Sequence, residues 1–182
     1  MKQTKTKRCK ICKKQFTPTI SSLQVTCTTV SCVLQHAKAI KAKNDRLKIQ
    51  EVRERLKTRQ EHLKELQVVF NAYIRDRDRG TLCISCDRPL KGKYDAGHFF
   101  SVGSYPNLRF HEDNVHGQCV ECNQHKHGNL IEYGERLVLR IGIKQLDELH
   151  AAKNGRLSQT ADEIKELIKV YKQKTKSLKN LS

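Results

Sequence analysis

The chain is 182 residues long, with 37% hydrophobic and 5% aromatic residues, no tryptophan, and 36 Lys+Arg against 19 Asp+Glu for a formal charge of +17. That composition argues against one large apolar core and in favour of small metal-stapled units. No run approaches the ~20 apolar residues of a bilayer span, and MKQTKTKRCK lacks the apolar stretch of a signal peptide, so a cytoplasmic chain with no membrane contact is expected.

The charge is uneven. Residues 1–66 carry 17 basic and 5 acidic side chains, residues 67–150 carry 11 of each, and residues 151–182 carry 8 and 3. Basic flanks of this kind attract phosphate polyanions by counterion release, so nucleic acid is the expected partner. Eight cysteines in a reducing compartment point to metal sites rather than disulfides, and zinc is the expected ion, in two structural sites.

Residues 1–36 form the first segment. Cys9 and Cys12 make a C-x2-C knuckle and Cys27 and Cys32 a C-x4-C pair, with strand-like stretches such as LQVTC between them, as in a zinc ribbon. His36 follows four residues after Cys32 and is an alternative to one of the thiolates.

Residues 37–80 read as a long basic helix free of proline and glycine. From Ile49 the apolar residues Val52, Leu56, Leu63, Leu66, Phe70 and Tyr73 follow a heptad interrupted by Arg59, which is either a coiled-coil seam or one amphipathic helix folded back on its own chain. A paired seam would make a homodimer. Gly80 ends the helix.

Residues 81–130 hold the chemistry. Cys83 with Cys86, and Cys119 with Cys122, are two C-x2-C knuckles more than thirty residues apart, the pattern of a closed four-thiolate zinc site that folds the chain and leaves no position for a reacting water. Between them lie Asp95 and His98 in a strand-like stretch, a Gly/Ser/Pro loop, the stretch LRF, and Asn114 and His116. Asn123, Gln124, His125, Lys126 and His127 follow the last cysteine. Strand, loop, strand, helix is the expected order.

A neutral imidazole can take a proton from an attacking water, and a hard cation on carboxylate and amide oxygens can stabilise a leaving 3′ oxygen. Lys126, Arg109 and His125 are candidate contacts to DNA phosphates, with a solvated role as the alternative.

Residues 131–182 read as helices, interrupted at Gly134 and Gly142, and Thr160 with Glu163 carries a capping-box signature before ADEIKELIKVYKQKTKSLKNL.

The order C-x2-C, strand histidine, asparagine, C-x2-C-N resembles the HNH, or His-metal finger, nucleases with a structural zinc. More closely, FNAYIRDRDRG, LCISC, DAGHF, LRF and QCVECNQHK, in that order, resemble the NinG, or Rap, recombination endonucleases of lambdoid phages. The resemblance is strongest over residues 67 to about 150.

It implies an α+β fold: a small zinc-stapled ββα-metal (HNH-like) core with an N-terminal zinc ribbon-like module, a long helix and C-terminal helices. The implied activity is Mg2+- or Mn2+-dependent cutting of branched DNA such as Holliday junctions and D-loops, leaving 5′-phosphate and 3′-hydroxyl ends, alongside phage or host recombination proteins. Carried over, His98 is the general base, Asn114 the asparagine that orients the base loop, and Asn123 a metal ligand.

The chain departs from the HNH pattern where many members place a metal-binding aspartate directly before the base. Gly97 stands there, and Asp95 lies three residues before His98. Asp95, His116 and His125 are therefore alternatives for completing the metal shell, and His116 stands with His98 and Asn114 among the catalytic candidates. A zinc-finger DNA binder without catalysis and a helical adaptor for other proteins are the rival readings.

Overall fold

The computed structural model describes residues 5–180 and divides into two compact units, Met1–Lys57 and Thr58–Ser182. It is a mixed α+β chain with two small sheets.

In the first unit, β1 (Lys7–Arg8) and β2 (Gln15–Phe16) pair antiparallel across the first knuckle, Lys7 opposite Phe16. The expected strand character of LQVTC is absent: this stretch is turn, because Gln24 bends its amide onto the backbone of Thr19, Ile20 and Thr26. Helix α1 (Val30–Arg55) follows and carries Cys32 in its first turn. Cys9, Pro18, Thr26 and Cys32 are the buried residues described in this unit.

The single long helix expected over residues 37–80 is two helices. α1 ends at Arg55, and α2 (Arg59–Arg77) starts afresh at Thr58. Thr58 Oγ1 accepts the Glu61 backbone N–H at 3.3 Å while the Glu61 carboxylate accepts the Thr58 N–H at 2.7 Å. A start signal thus lay inside a run that composition alone reads as uninterrupted helix.

The proposed seam divides with it. Ile49, Val52 and Leu56 are exposed, whereas Leu63, Leu66, Phe70 and Tyr73 are buried. Arg59, the residue that breaks the heptad, donates to the carbonyls of Gln159 and Leu157 at 2.7 and 2.9 Å.

The second unit is built on α2 and α5 (Ala161–Asn180). The α2 residues Leu63, Leu66, Phe70, Tyr73 and Ile74 pack on Ile164, Ile168 and Tyr171 of α5, with Phe70 and Tyr171 edge to face at 4.9 Å. The buried half of the seam is therefore covered by this chain's own helix. The expected capping box opens α5: Thr160 N–H donates to Glu163 at 2.6 Å and receives the reciprocal bond at 3.3 Å.

Against this pair lies an antiparallel hairpin, β3 (Tyr94–His98) and β4 (Val115–Cys119), in register Tyr94↔Cys119 to His98↔Val115. LRF is not the second strand; it belongs to a 3-10 turn (Pro106–Leu108) and the loop after it. A π-helical turn (Glu121–His125) follows β4, then α3 (Leu130–Ile141) and α4 (Ile143–Ala151), separated by Gly142 at φ +85°. A second core of Ile84, Leu108, Tyr133, Leu137 and Leu149 lies under these helices.

Asp78, fully buried at the end of α2, ties three elements together. Its carboxylate accepts Arg77 Nε at 2.8 Å, Arg140 Nη2 at 3.0 Å and the backbone N–H of Gly117 at 2.7 Å. Burial opposes its charge but the two guanidiniums hold its pKa below the usual carboxylate range. Among the described residues no helix is long and apolar enough to cross a membrane.

Candidate active site

Two tetracysteine clusters could hold zinc. The four Sγ atoms of Cys9, Cys12, Cys27 and Cys32 lie within 4.8 Å of one another, as do those of Cys83, Cys86, Cys119 and Cys122. His36 does not join the first cluster, so four thiolates suffice there. Burial and neighbouring thiols push Cys32 and Cys122 up to about 12. Four crowded thiols cannot all ionise by themselves; a central dication removes that conflict, which is the donor chemistry zinc demands.

The second cluster is wired to the hairpin. Cys119 closes β4, and its N–H donates to Cys83 Sγ at 3.3 Å. Arg88 Nε donates to Cys86 Sγ at 3.3 Å, and this donor overcomes burial to lower the Cys86 pKa to about 6. Cys122 sits in the π-helical turn. A metal joining these sulfurs would fix the turn against the Cys83–Cys86 knuckle and the end of β4.

That turn carries Asn123 to Asp95. Asn123 Nδ2 donates to Asp95 Oδ2 at 3.0 Å, and Gln124 Nε2 donates to the same oxygen at 2.7 Å. The bond fixes the asparagine amide with its nitrogen on the carboxylate, which leaves Asn123 Oδ1 as a hard oxygen donor on the cavity wall. No cluster of three His, Cys, Asp or Glu ligand atoms forms here among the described residues. A carboxylate and an amide oxygen are donor types that Mg2+ takes when water and phosphate complete its shell.

His98 ends β3 and shares with Asn123 the wall of a cavity of about 700 Å3. Its Nε2 lies 3.1 Å from the carbonyl oxygen of Arg109. A carbonyl can only accept, so Nε2 carries the proton and Nδ1 the lone pair. Burial lowers the His98 pKa from its ordinary value, although the Arg109 carbonyl opposes the shift. The ring is therefore neutral at pH 7 and able to accept a proton.

Asn114 holds the loop that positions that carbonyl. Fully buried, it accepts the Phe100 N–H at 2.7 Å and donates to the carbonyls of Phe100 and Leu108, each at 3.0 Å. Its amide thus bridges the end of β3 to the turn just before Arg109.

Gly97 has a steric reason. A Cβ there would overlap Gln118 Oε1 and lie 3.0 Å from Gln118 Cβ. Gln118 is itself buried and bonded to Ser85 Oγ at 2.7 Å. An aspartate directly before His98 has no room, which leaves Asp95 as the carboxylate near the turn.

His116 is not part of this wall. It is 3% exposed, with Nδ1 3.3 Å from the Tyr133 hydroxyl, which itself donates to the Gly97 carbonyl at 3.0 Å. Burial and the Arg77 charge drive its pKa down to about 3. The expectation of a catalytic His116 is corrected accordingly: it is a neutral core group under the hairpin, because both faces of β4 are covered and its own face meets the Tyr133 hydroxyl.

His125 and Lys126 are exposed and do not line the cavity. Arg109 is half-buried, its guanidinium bonded to Gln67 Oε1 and 5.3 Å above the Phe110 ring, so it is less available to DNA than expected.

His127 does line the cavity, four residues after Asn123, at φ +48° in a left-handed run with Gly128 and Asn129. Non-glycine residues adopt this conformation uncommonly, with histidine and asparagine among the exceptions. The sequence signal for it was the spacing from Asn123 together with the following glycine.

A family model described as "NinG: Bacteriophage Lambda NinG protein" matches residues 1–181. Protein ninG of Escherichia phage 933W is 38% identical over 96% of this chain and 94% of its own length. Those of Escherichia phage lambda and Salmonella phage P22 are 44% and 43% identical over 75% of this chain, spanning 65% and 66% of theirs. No solved structure matches.

Proposed function

This chain belongs to the NinG family of lambdoid phages, and we propose that it is a metal-dependent DNA endonuclease of the HNH type, directed to branched recombination intermediates in the host cytoplasm. The observation that carries the reading is the pairing, across one cavity, of a neutral His98 whose Nε2–H is fixed on a backbone carbonyl with Asn123, itself fixed on Asp95. β3, β4 and the π-helical turn would then be a ββα-metal core, stapled by the second tetracysteine cluster.

In this mechanism His98 Nδ1 takes a proton from the water that attacks the scissile phosphorus, and the Arg109 carbonyl steadies the resulting imidazolium. Asn114 keeps that carbonyl in place. Mg2+ or Mn2+ held by Asp95 and Asn123 would supply charge stabilisation for the departing 3′ oxygen. The basic flanks supply the sequence-independent grip on DNA arms. A homodimer acting on both strands of a junction would need a surface other than Leu63–Tyr73, which α5 covers.

The test is cleavage of labelled four-way junction and matched linear duplex by wild type and His98→Gln, with both zinc contents measured. Junction cutting in Mg2+ that falls about 10²–10⁴-fold in the variant, with zinc and DNA binding retained, supports the reading. Binding without cutting in Mg2+ or Mn2+ would instead assign the chain to non-catalytic zinc-finger DNA binders.

A further inference from the structure

The cavity that His98 and Asn123 share has a second wall that hydrolysis of a phosphodiester does not require. Phe100, Tyr105, Leu130 and Ile131 line it, and Ile131 is 79% exposed. An apolar surface beside a site that handles phosphates costs hydration unless something apolar covers it.

Its surroundings indicate what that is. Phe100 and Tyr105 contact each other at 5.2 Å, and Lys153 Nζ lies 5.2 Å from the Phe100 ring centre and 5.9 Å from that of Tyr105. Ser101 and Ser104, bonded to each other at 3.1 Å, add hydroxyls on the same loop. Aromatic rings, a cation and small polar groups together match a nucleotide: a flat base for the rings and a phosphate for the ammonium. A lipid or an apolar peptide would leave the lysine and the catalytic wall without a role.

We infer that this wall receives one unpaired nucleobase next to the scissile phosphate, so that preference for branched DNA arises partly from a base that the branch has already freed. The inference rests on the endonuclease reading of the same cavity. Paired duplex must first lose stacking and pairing to fill the pocket, at a cost of a few kcal/mol, whereas a branch nucleotide left unpaired or unstacked carries much less of that cost.

The experiment is a thermodynamic cycle on binding. Full-length, zinc-loaded wild type, Ile131→Ser and Tyr105→Leu are titrated by anisotropy, in Ca2+ buffer without chelator, against a four-way junction with intact branch nucleotides. The same junction is then used with an abasic residue walked through the branch positions. Ile131 is exposed, so its variant keeps the fold, and zinc content and circular dichroism check both variants.

The expected result is about tenfold weaker binding by wild type at one abasic position, with that difference largely lost in both variants. Equal penalties in wild type and variants, or no penalty at any position, overturn the base pocket. The readout is affinity without cutting, so it stands apart from the His98→Gln test: absent coupling with intact His98-dependent cleavage sinks the pocket alone, and absent cleavage sinks the endonuclease reading.

Discussion

The two tetracysteine clusters have the same ligands in very different settings. In the first unit the described buried residues are two of the ligands with Pro18 and Thr26, and α1 leaves Val33, Leu34, Ile40 and Leu47 exposed. In the second, the cluster abuts Leu90 and belongs to a unit with two larger apolar cores. With zinc in both clusters, the first fold would depend on the metal for existence and the second for the placement of one turn.

The largest effect should come from removing a ligand. Cys9→Ser is expected to leave the first unit unfolded, because structural zinc supplies about 10–16 kcal/mol at pH 7 and no apolar core among the unit's described residues replaces it. Limited proteolysis would then degrade residues up to about 57 while the fragment from Thr58 persists. Cys122→Ser should leave the α2–α5 pair protected in hydrogen exchange while the 119–129 segment exchanges rapidly. Equal loss of both units in either variant would remove the contrast.

Next in size is Asn114→Ala. It deletes three hydrogen bonds at a fully buried position and leaves the Phe100 N–H and two carbonyls without that partner, costing roughly 2–4 kcal/mol. If Asn114 positions the Arg109 carbonyl for His98, cleavage falls by a further factor on the order of 10², beyond what the folded fraction accounts for. A rate loss equal to the loss of folded protein would make Asn114 structural only. For His98 itself, the depressed pKa predicts that the acid limb of cleavage lies below an ordinary imidazole titration, with activity lost as the ring protonates.

What could be read before the fold was known follows the range of each signal. The knuckles and the Thr160 cap are local patterns, and both formed as expected. Asp95 and Asn123 lie 28 residues apart, yet each sits beside a recognisable motif, so their meeting was within reach. His116 departs from expectation because both faces of β4 are covered, and the group that covers its own face, Tyr133, lies seventeen residues later. Asp78 looked like one charge in RDRDRG, and its burial depends on Arg140 and the Gly117 N–H, which sequence spacing does not connect. The break at Thr58 carries the same T-x-x-E pattern as Thr160, but helix-forming composition on both sides masks it.

His116 gives a third way to probe the second unit. Its pKa is about 3 in the fold and near 6.5 in an unfolded chain. Between those values the unfolded state binds more protons, so stability falls as pH drops from about 6.5 toward 3, by ~1.4 kcal/mol per pH unit for this group. His116→Phe cannot titrate. Acid also releases zinc from the thiolates, so the useful quantity is the difference between wild type and variant in denaturant midpoints at pH 7 and pH 5. The variant should gain about 2 kcal/mol relative to wild type over that interval, and an unchanged difference would mean that His116 reaches solvent.

The smallest effect belongs to Thr58, where the second unit begins. Thr58→Ala removes the hydroxyl that accepts the Glu61 N–H but keeps the backbone N–H that the Glu61 carboxylate accepts, so half the capping box survives and the loss should be about 1 kcal/mol. The core residues Leu63, Leu66 and Phe70 are unaffected, so the cost should fall on the unit that starts here. The first unit's zinc content should stay unchanged. A larger loss, or one shared with the first unit, would show that α1 and α2 act as one continuous helix in solution, and the contrast between a metal-dependent unit and a core-dependent one would then fail at its boundary.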